Sequence, residues 1–298
     1  MDWQKGRQSD NVVEDDGSGG GGGIGGGGMR FGGIHLGIGG TVLALIVAFI
    51  FPQTRPLIMG LFFNDNTDSQ YSAAPSGDKP ADHSDPQVQF VSSILGSTED
   101  VWTAFFKARG QAYQAPTLKL FHGHTSSGCG AASESMGPFY CPNDRRVYLD
   151  LDFFKEMDTR FHAKGDFARG YVIAHEVGHH VQNLLGIIPQ VERARQQGQA
   201  MEGATGLSVR EELQADCFAG VWGNKSQAQL DWLKPGDVEA ALNAASQVGD
   251  DTLQKQASGR VVPDSFTHGT AAQRSHWFNA GFQSGDIANC NTFAAPTL

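Results

Sequence analysis

The sequence predicts an α+β fold, mainly helical with a small β-sheet, carried behind one N-terminal transmembrane helix. Three observations predict it. Long stretches repeat apolar residues at intervals of three and four, the period of a helix with one buried face. A few short apolar runs, bounded by turn residues, have the length and composition of strands. The 18 residues from Ile34 to Phe51 contain no Asp, Glu, Lys or Arg. With Phe31-Gly-Gly ahead of them they make an uncharged run of about 20 residues, enough to cross a bilayer.

Composition fits that division. Of the 298 residues, 40% are hydrophobic and 18% charged, as in ordinary globular proteins. The net charge is −10, and no cluster of Lys and Arg offsets it, which argues against a nucleic-acid surface. Cys129, Cys141, Cys217 and Cys290 form no CxxC pair, so a zinc knuckle is not expected. Their even number fits two disulfides in an oxidising compartment.

In chain order, residues 1–30 read as a polar and Gly-rich tail, 31–51 as the transmembrane helix and 52–86 as a flexible linker rich in Pro, Ser and Asp. The folded domain is expected over 87–298. Flanking charges decide orientation weakly, since Arg30 precedes the span and Arg55 follows it. Lys5 and Arg7, with paired cysteines in the domain, favour the N-terminus inside and the domain outside the cytoplasm.

Within the domain, Val88 to Ala108 carries Val91, Ile94, Leu95, Val101, Trp102 and Phe105 at helical spacing, with Ser97-Thr-Glu-Asp expected to cap a second helix. Leu118 to Phe121 reads as a strand. His122 and His124 then read as loop or cleft residues. Phe139-Tyr-Cys141 and Arg146 to Asp150 read as two strands joined by a Pro-Asn-Asp turn, and Cys129 and Cys141 bracket this region as a local disulfide. A helix starts over Asp152 to Met157. The next begins after Lys164-Gly-Asp166 and ends near Gly186, and residues 190–204 read as a polar helix end and loop. Further helices are expected from Ser208 to Lys225, Val238 to Gln247 and Ala271 to Phe282, with Trp277 and Phe278 in the core and Cys290 tying down the tail.

The chemistry concentrates in Tyr171-Val-Ile-Ala-His-Glu-Val-Gly-His-His-Val-Gln182. His175 and His179 stand at i and i+4, so both imidazoles share one helix face and can reach one zinc ion. Glu176 lies beside the first ligand, where a carboxylate can take a proton from water at the metal. His180 is about 100° round the helix from His179 and is expected to pack or cap instead. A catalytic zinc site uses three protein ligands, and no third His follows closely. The carboxylates on offer are Glu211, Glu212 and Asp216. Glu212 and Asp216 share a face, so one can bind metal while the other accepts the outer N–H of a ligand His.

Together these residues resemble the putative neutral zinc metallopeptidase (YpfJ-like) family of bacteria. The resemblance runs through Met29-Arg30, the single apolar span, Gly137-Pro-Phe-Tyr-Cys141-Pro, Val147-Tyr-Leu-Asp150, the His175 motif, Glu212-Leu-Gln-Ala-Asp216-Cys217 and His268-Gly-Thr-Ala-Ala-Gln-Arg274. It implies a zincin-like metalloprotease domain and one Zn2+ per chain. It implies His175, His179 and Glu212 as ligands in the gluzincin arrangement, with Asp216 behind them. By the same analogy His268 stabilises the oxyanion, helped by Tyr171 or Tyr148, and Arg274 holds the site acids. The Gly269 that follows His268 departs from the Pro usual in membrane-associated gluzincins. The strand over 147–149 is expected to bind an extended protein or peptide substrate at the sheet edge. These expectations place a single-pass endopeptidase in the bacterial inner (cytoplasmic) membrane, its oligomeric state unspecified. The competing reading is a membrane-tethered zinc-binding scaffold, or chaperone-like module, without proteolysis.

Overall fold

The structure is a computed structural model describing residues 1–17, 77–133, 137–159 and 163–298. Its described residues form a mixed α/β fold of eight helices and two small sheets. The strands are β1 (Val12–Asp15), β2 (Asp78–Pro80), β3 (Thr117–Phe121), β4 (His124–Ser127), β5 (Gly130–Ser133), β6 (Phe139–Cys141) and β7 (Arg146–Asp150). The helices are α1 (Pro86–Lys107), α2 (Phe153–Thr159), α3 (Asp166–Leu184), α4 (Ile187–Gln196), α5 (Leu207–Leu230), α6 (Asp237–Gln247), α7 (Asp250–Ser258) and α8 (Ala271–Ser284).

The main sheet has the order β2-β1-β3-β7-β6. β1, β3 and β7 run parallel, while β2 and β6 are antiparallel edges. Within that parallel centre, β3 and β7 carry the apolar residues, Leu118, Leu120, Val147 and Leu149 being buried. Lys119 breaks that run and is only 1% exposed, but Asp15 at 3.4 Å and Asp78 at 3.1 Å pair with it across β1 and β2. β4 and β5 form a separate hairpin.

The N-terminal segment is part of this fold, not a tail. β1 supplies the strand between β2 and β3, and Val12 is buried in the core. Glu99 on α1 fixes the approach to it, accepting from Arg7 Nη2 (2.7 Å), Ser9 Oγ (2.6 Å) and Asn11 Nδ2 (2.8 Å). This also explains why Ser97-Thr-Glu-Asp does not interrupt α1. Ser97 and Thr98 turn their hydroxyls back to the carbonyls of Ile94 and Leu95, and Glu99 serves the N-terminal segment instead of a cap. The last ten residues of the expected linker are likewise ordered, holding β2 and the Asp85 N-cap of α1.

The membrane expectation does not stand. The apolar run expected to cross lies outside the described residues, and among those described no helix is long and apolar enough to cross a membrane. Strand pairing overturns the single-pass topology directly. Val13 pairs with Pro80 and Lys119, and the Asp16 N–H donates to the Gly77 carbonyl. Residues 12–15 therefore share one sheet with residues 78–80, 117–121, 139–141 and 146–150. A membrane crossed once between residues 17 and 77 would part them, so an N-terminus inside with the domain outside is excluded. The inner-membrane location resting on that topology falls with it.

Smaller differences are local. Gly186 adopts φ 78° and begins α4 as much as it ends α3, and Pro189 sits in the first turn of α4, where a missing N–H costs nothing. α7 is not expected from the sequence; its nine residues are mostly polar, with Asp250 and Asp251 in the first turn. Both disulfides form, Cys129–Cys141 and Cys217–Cys290.

Glu99→Ala is expected to lower the unfolding free energy by about 2 kcal/mol, because the fully buried Ser9 hydroxyl loses its acceptor. Urea denaturation measures this. A change within about 0.5 kcal/mol, the range of neutral surface substitutions, would contradict the anchoring role.

Candidate metal centre

α3 and α5 cross where Gly178 meets the backbone of Ala215, so the His motif and the Glu212 turn face each other closely. α8 packs still closer against α5. A Cβ on Gly281 would lie 1.9 Å from the Cys217 carbonyl, and one on Gly220 2.1 Å from that of Phe278. Only glycine fits these contacts, and they bring Arg274 of α8 beneath the site.

His175, His179 and Glu212 converge there, with their ligand atoms all within 4.8 Å of one another. His175 Nε2 lies 3.1 Å from Glu212 Oε2 and 3.2 Å from His179 Nε2, and His179 Nε2 lies 3.5 Å from Glu212 Oε1. The outer nitrogens have other partners. His175 Nδ1 donates to Asp216 Oδ1 at 2.9 Å. His179 Nδ1 donates to Gln182 Oε1 at 2.9 Å, the Gln182 amide N–H groups being given to the Glu211 carbonyl and to Gln214 Oε1. With both outer nitrogens as donors, each neutral imidazole turns its Nε2 lone pair inward.

With both imidazoles neutral, two lone pairs and a carboxylate face one another, an arrangement that a bound cation neutralises. Zinc–nitrogen distances of about 2.0–2.1 Å at tetrahedral angles put ligand atoms roughly 3.3–3.4 Å apart, close to the separations seen. Two imidazoles and one carboxylate are the donor set of a three-ligand zinc site. Without a metal the same charges hold protons instead. Burial opposes a charged His179, but Glu212 outweighs it and pushes its pKa up to about 10. Burial likewise resists ionisation of Glu212, and His179 and His268 override it, so its pKa falls well below the usual range.

Beneath the ligands lies a buried polar network. Asp216 is fully buried and accepts from Tyr171 Oη (2.5 Å), from Arg274 Nε (2.8 Å, at Oδ2) and from Arg274 Nη2 (2.9 Å, at Oδ1). Burial disfavours its charge, yet Arg274 and His175 bring its pKa down to about 2. Tyr171 is thereby committed to this network, at 1% exposure, and Tyr148 is committed to Asp144 at 2.7 Å. Both hydroxyls, expected from the sequence to help at an oxyanion, are thus already bonded to carboxylates.

Glu176 stands apart. It is buried, and no hydrogen bond among the described residues engages its carboxylate. Burial, the largest influence, raises its pKa. His268 approaches from the loop before α8, close enough to Glu212 that each shifts the other's pKa. Asp250, at the start of α7, holds that loop: its Oδ2 accepts from the N–H groups of Thr267 (2.7 Å), His268 (2.7 Å) and Gly269 (3.0 Å). His268 Nδ1 meets Thr267 Oγ1 at 2.8 Å and Asp250 Oδ1 at 3.4 Å. His180 turns away, as its place on the helix predicts, between Tyr140 Oη (3.0 Å) and the Gln114 carbonyl (2.6 Å), and its burial lowers its pKa to about 4.

Gln182, Gln214 and Asp250 were not singled out from the sequence. Gln182 had a signal, standing three residues after His179 and so on its face. Asp250 had none beyond a carboxylate at a helix start. His122 lies apart from this centre with Asp150 and Asp152, a second group within 4.8 Å, whose Asp150 already accepts from the N–H groups of Gly123 and Asp152. His124 heads β4.

Comparison with known proteins agrees with this centre. The model of the family described as "Putative neutral zinc metallopeptidase" matches residues 1–293. The chain belongs to that family. The uncharacterized protein YpfJ of Escherichia coli K12 is 49% identical over 296 residues, covering 98% of this chain and 99% of its own. The uncharacterized protein Rv2575 of Mycobacterium tuberculosis H37Rv is 44% identical over 220 residues, 70% of this chain and 73% of its own. No solved structure matches. Membership supports a zinc peptidase, and so a hydrolase, at the level of the family.

Arg274→Met is expected to cost about 3–5 kcal/mol in the metal-free protein, since it leaves the Asp216 charge buried without its partner. Denaturant unfolding measures it. A loss under about 1 kcal/mol would show that Asp216 does not depend on Arg274.

Proposed function

We propose that this protein is a zinc-dependent endopeptidase that binds one zinc ion through His175, His179 and Glu212. The observation that carries the reading is the convergence of three inward-facing donors beside a buried carboxylate, Glu176, that no other residue occupies. When bound, zinc supplies Lewis acidity, polarising the scissile carbonyl and acidifying water.

The chain's own residues do the rest. Glu176 takes the proton of the attacking water and returns it to the leaving amine; its raised pKa brings it nearer the operating pH, where a carboxylate serves both tasks. His175 and His179 are held in the metal-binding tautomer by Asp216 and Gln182, which also keep them basic. Asp250 and Thr267 hold His268 Nδ1–H. Against its burial, Glu212 and Asp250 favour the imidazolium, whose Nε2–H donates to the carbonyl oxygen as charge develops on it. A substrate strand adds to β6, the edge strand of the sheet, which packs beside α3. β7, expected from sequence to be that edge, is internal to the sheet between β3 and β6.

A zinc-binding scaffold needs only the three ligands and the carboxylates behind them. It gives no reason to bury Glu176 with nothing to bond.

The test is a matched pair of full-length proteins, wild type and Glu176→Gln, assayed for zinc content and for cleavage of a denatured-protein substrate. Both are expected to hold one zinc per chain. Cleavage is expected to fall by roughly 100- to 10,000-fold in the variant. Equal cleavage by both, or zinc without cleavage in the wild type, would overturn the reading.

A further inference from the structure

One turn beyond the metal centre, α3 borders a cavity of about 400 Å³. Phe106, Gln111, Gln114, Arg145, Asn183 and Pro189 line it. Asn183 stands four residues after His179, so both share a helix face about 6 Å apart along the axis. The cavity is joined to the sheet edge as well. Asn183 Nδ2 donates to Tyr140 Oη at 2.9 Å, which fastens the middle of β6 to its wall. The carbonyl of Cys141, the last residue of β6, accepts from the Arg145 N–H at 2.9 Å. A chain laid along β6 therefore runs towards Arg145.

Arg145 is unusual in its backbone and in its charge. Its φ is 59°, a left-handed conformation that costs a residue with a Cβ roughly 1–2 kcal/mol. The two arginines of this turn are treated differently. Arg146 is paired with Asp78 at 2.7 Å. Arg145 has no carboxylate partner among the described residues, and only Gln114 Oε1, at 2.7 Å, engages its Nη1. The neighbouring Asp144 is taken by Tyr148 Oη and by the N–H groups of Gly128 and Arg146. A guanidinium has five N–H donors in a planar fork that fits a carboxylate, so most of its capacity stays open to the cavity. Arg145 is exposed, so its guanidinium can be reached by a ligand from solvent. The amides of Gln111, Gln114 and Asn183 add polar contacts, while Phe106 and Pro189 supply apolar wall.

We propose that this cavity is a specificity subsite that receives a carboxylate of the peptide substrate, with Arg145 as its counter-charge. The inference rests on the endopeptidase reading for its substrate class. Its chemistry is that of a carboxylate, carried either by a Glu or Asp side chain or by the free C-terminus of a peptide.

The experiment uses a fluorescent neutral host peptide with an amidated C-terminus. Glu, Gln or Lys replaces each host position in turn, and a further version carries a free terminal carboxylate. Binding is measured by anisotropy on full-length, zinc-loaded Glu176→Gln protein, alone and with Arg145→Glu added. Cleavage of the same peptides is followed with the wild type and with Arg145→Glu. At one host position, Glu is expected to bind about tenfold better than Gln, the effect of one charge-assisted contact. Arg145→Glu is expected to shift that preference to Lys, with zinc content and melting temperature as controls on folding. A preference that follows the free C-terminus instead assigns the subsite to the end of the chain. No preference for a carboxylate in any version, a preference unchanged by Arg145→Glu, or no binding of any peptide would overturn the proposal. Cleavage without carboxylate preference removes the subsite and leaves the endopeptidase. Arg145-dependent binding without wild-type cleavage removes the endopeptidase and leaves the subsite.

Discussion

The structure depends on the buried pairing of Asp216 with Arg274. An aspartate with no exposure costs several kcal/mol to desolvate, and a guanidinium bonded to both of its oxygens offsets that cost. The pairing is possible because α8 approaches α5 within glycine contact at Gly220 and Gly281. Asp216, kept ionised, then accepts from both Tyr171 and His175 of α3. One carboxylate thereby joins three helices and sets the tautomer of the first candidate ligand. A second chain of amides does the same for His179, running through Gln182 and Gln214 to the Cys290 carbonyl. Because Cys290 is tied to Cys217 on α5, this line ends on a covalent anchor. The candidate ligands His175 and His179 lie on α3 and Glu212 on α5, and the two histidines are oriented by the partners of their outer nitrogens.

The N-terminal residues contribute by completing the sheet. Glu99 gathers Arg7, Ser9 and Asn11, which delivers β1 to its place beside β3, while Lys119 under β1 and β2 is matched by Asp15 and Asp78. The sheet in turn holds β6 beside α3, where Tyr140 meets His180 and Asn183. The β6 edge therefore rests on pairing that begins at residue 12.

The centre was legible in the sequence because its residues obey short periods. His175, His179, Glu212 and Asp216 stand at helical spacing within two helices, and one face of each suffices to group them. Arg274 and His268 were reached only by resemblance, since no local pattern links α8 to α3. The strands of β3, β6 and β7 followed from apolar runs. β1 did not, because Val12-Val-Glu-Asp15 is short and lies in a polar stretch, and what makes it a strand is pairing with residues 78–80 and 118–120. The same long-range pairing overturned the single-pass topology, which local hydropathy and flanking charge alone had suggested. Asp250 was missed for a similar reason. Its worth lies in three backbone N–H groups that reach it from residues 267–269, and sequence spacing does not show them.

The central claim is that His175, His179 and Glu212 hold one zinc ion. X-ray absorption spectroscopy of the zinc-loaded, full-length protein tests it most directly. The account predicts two imidazole nitrogens and light-atom oxygen ligands at about 2.0–2.2 Å, with one imidazole contribution lost in His179→Ala. A spectrum containing sulfur at about 2.3 Å, or one unchanged by His179→Ala and Glu212→Ala, would contradict it.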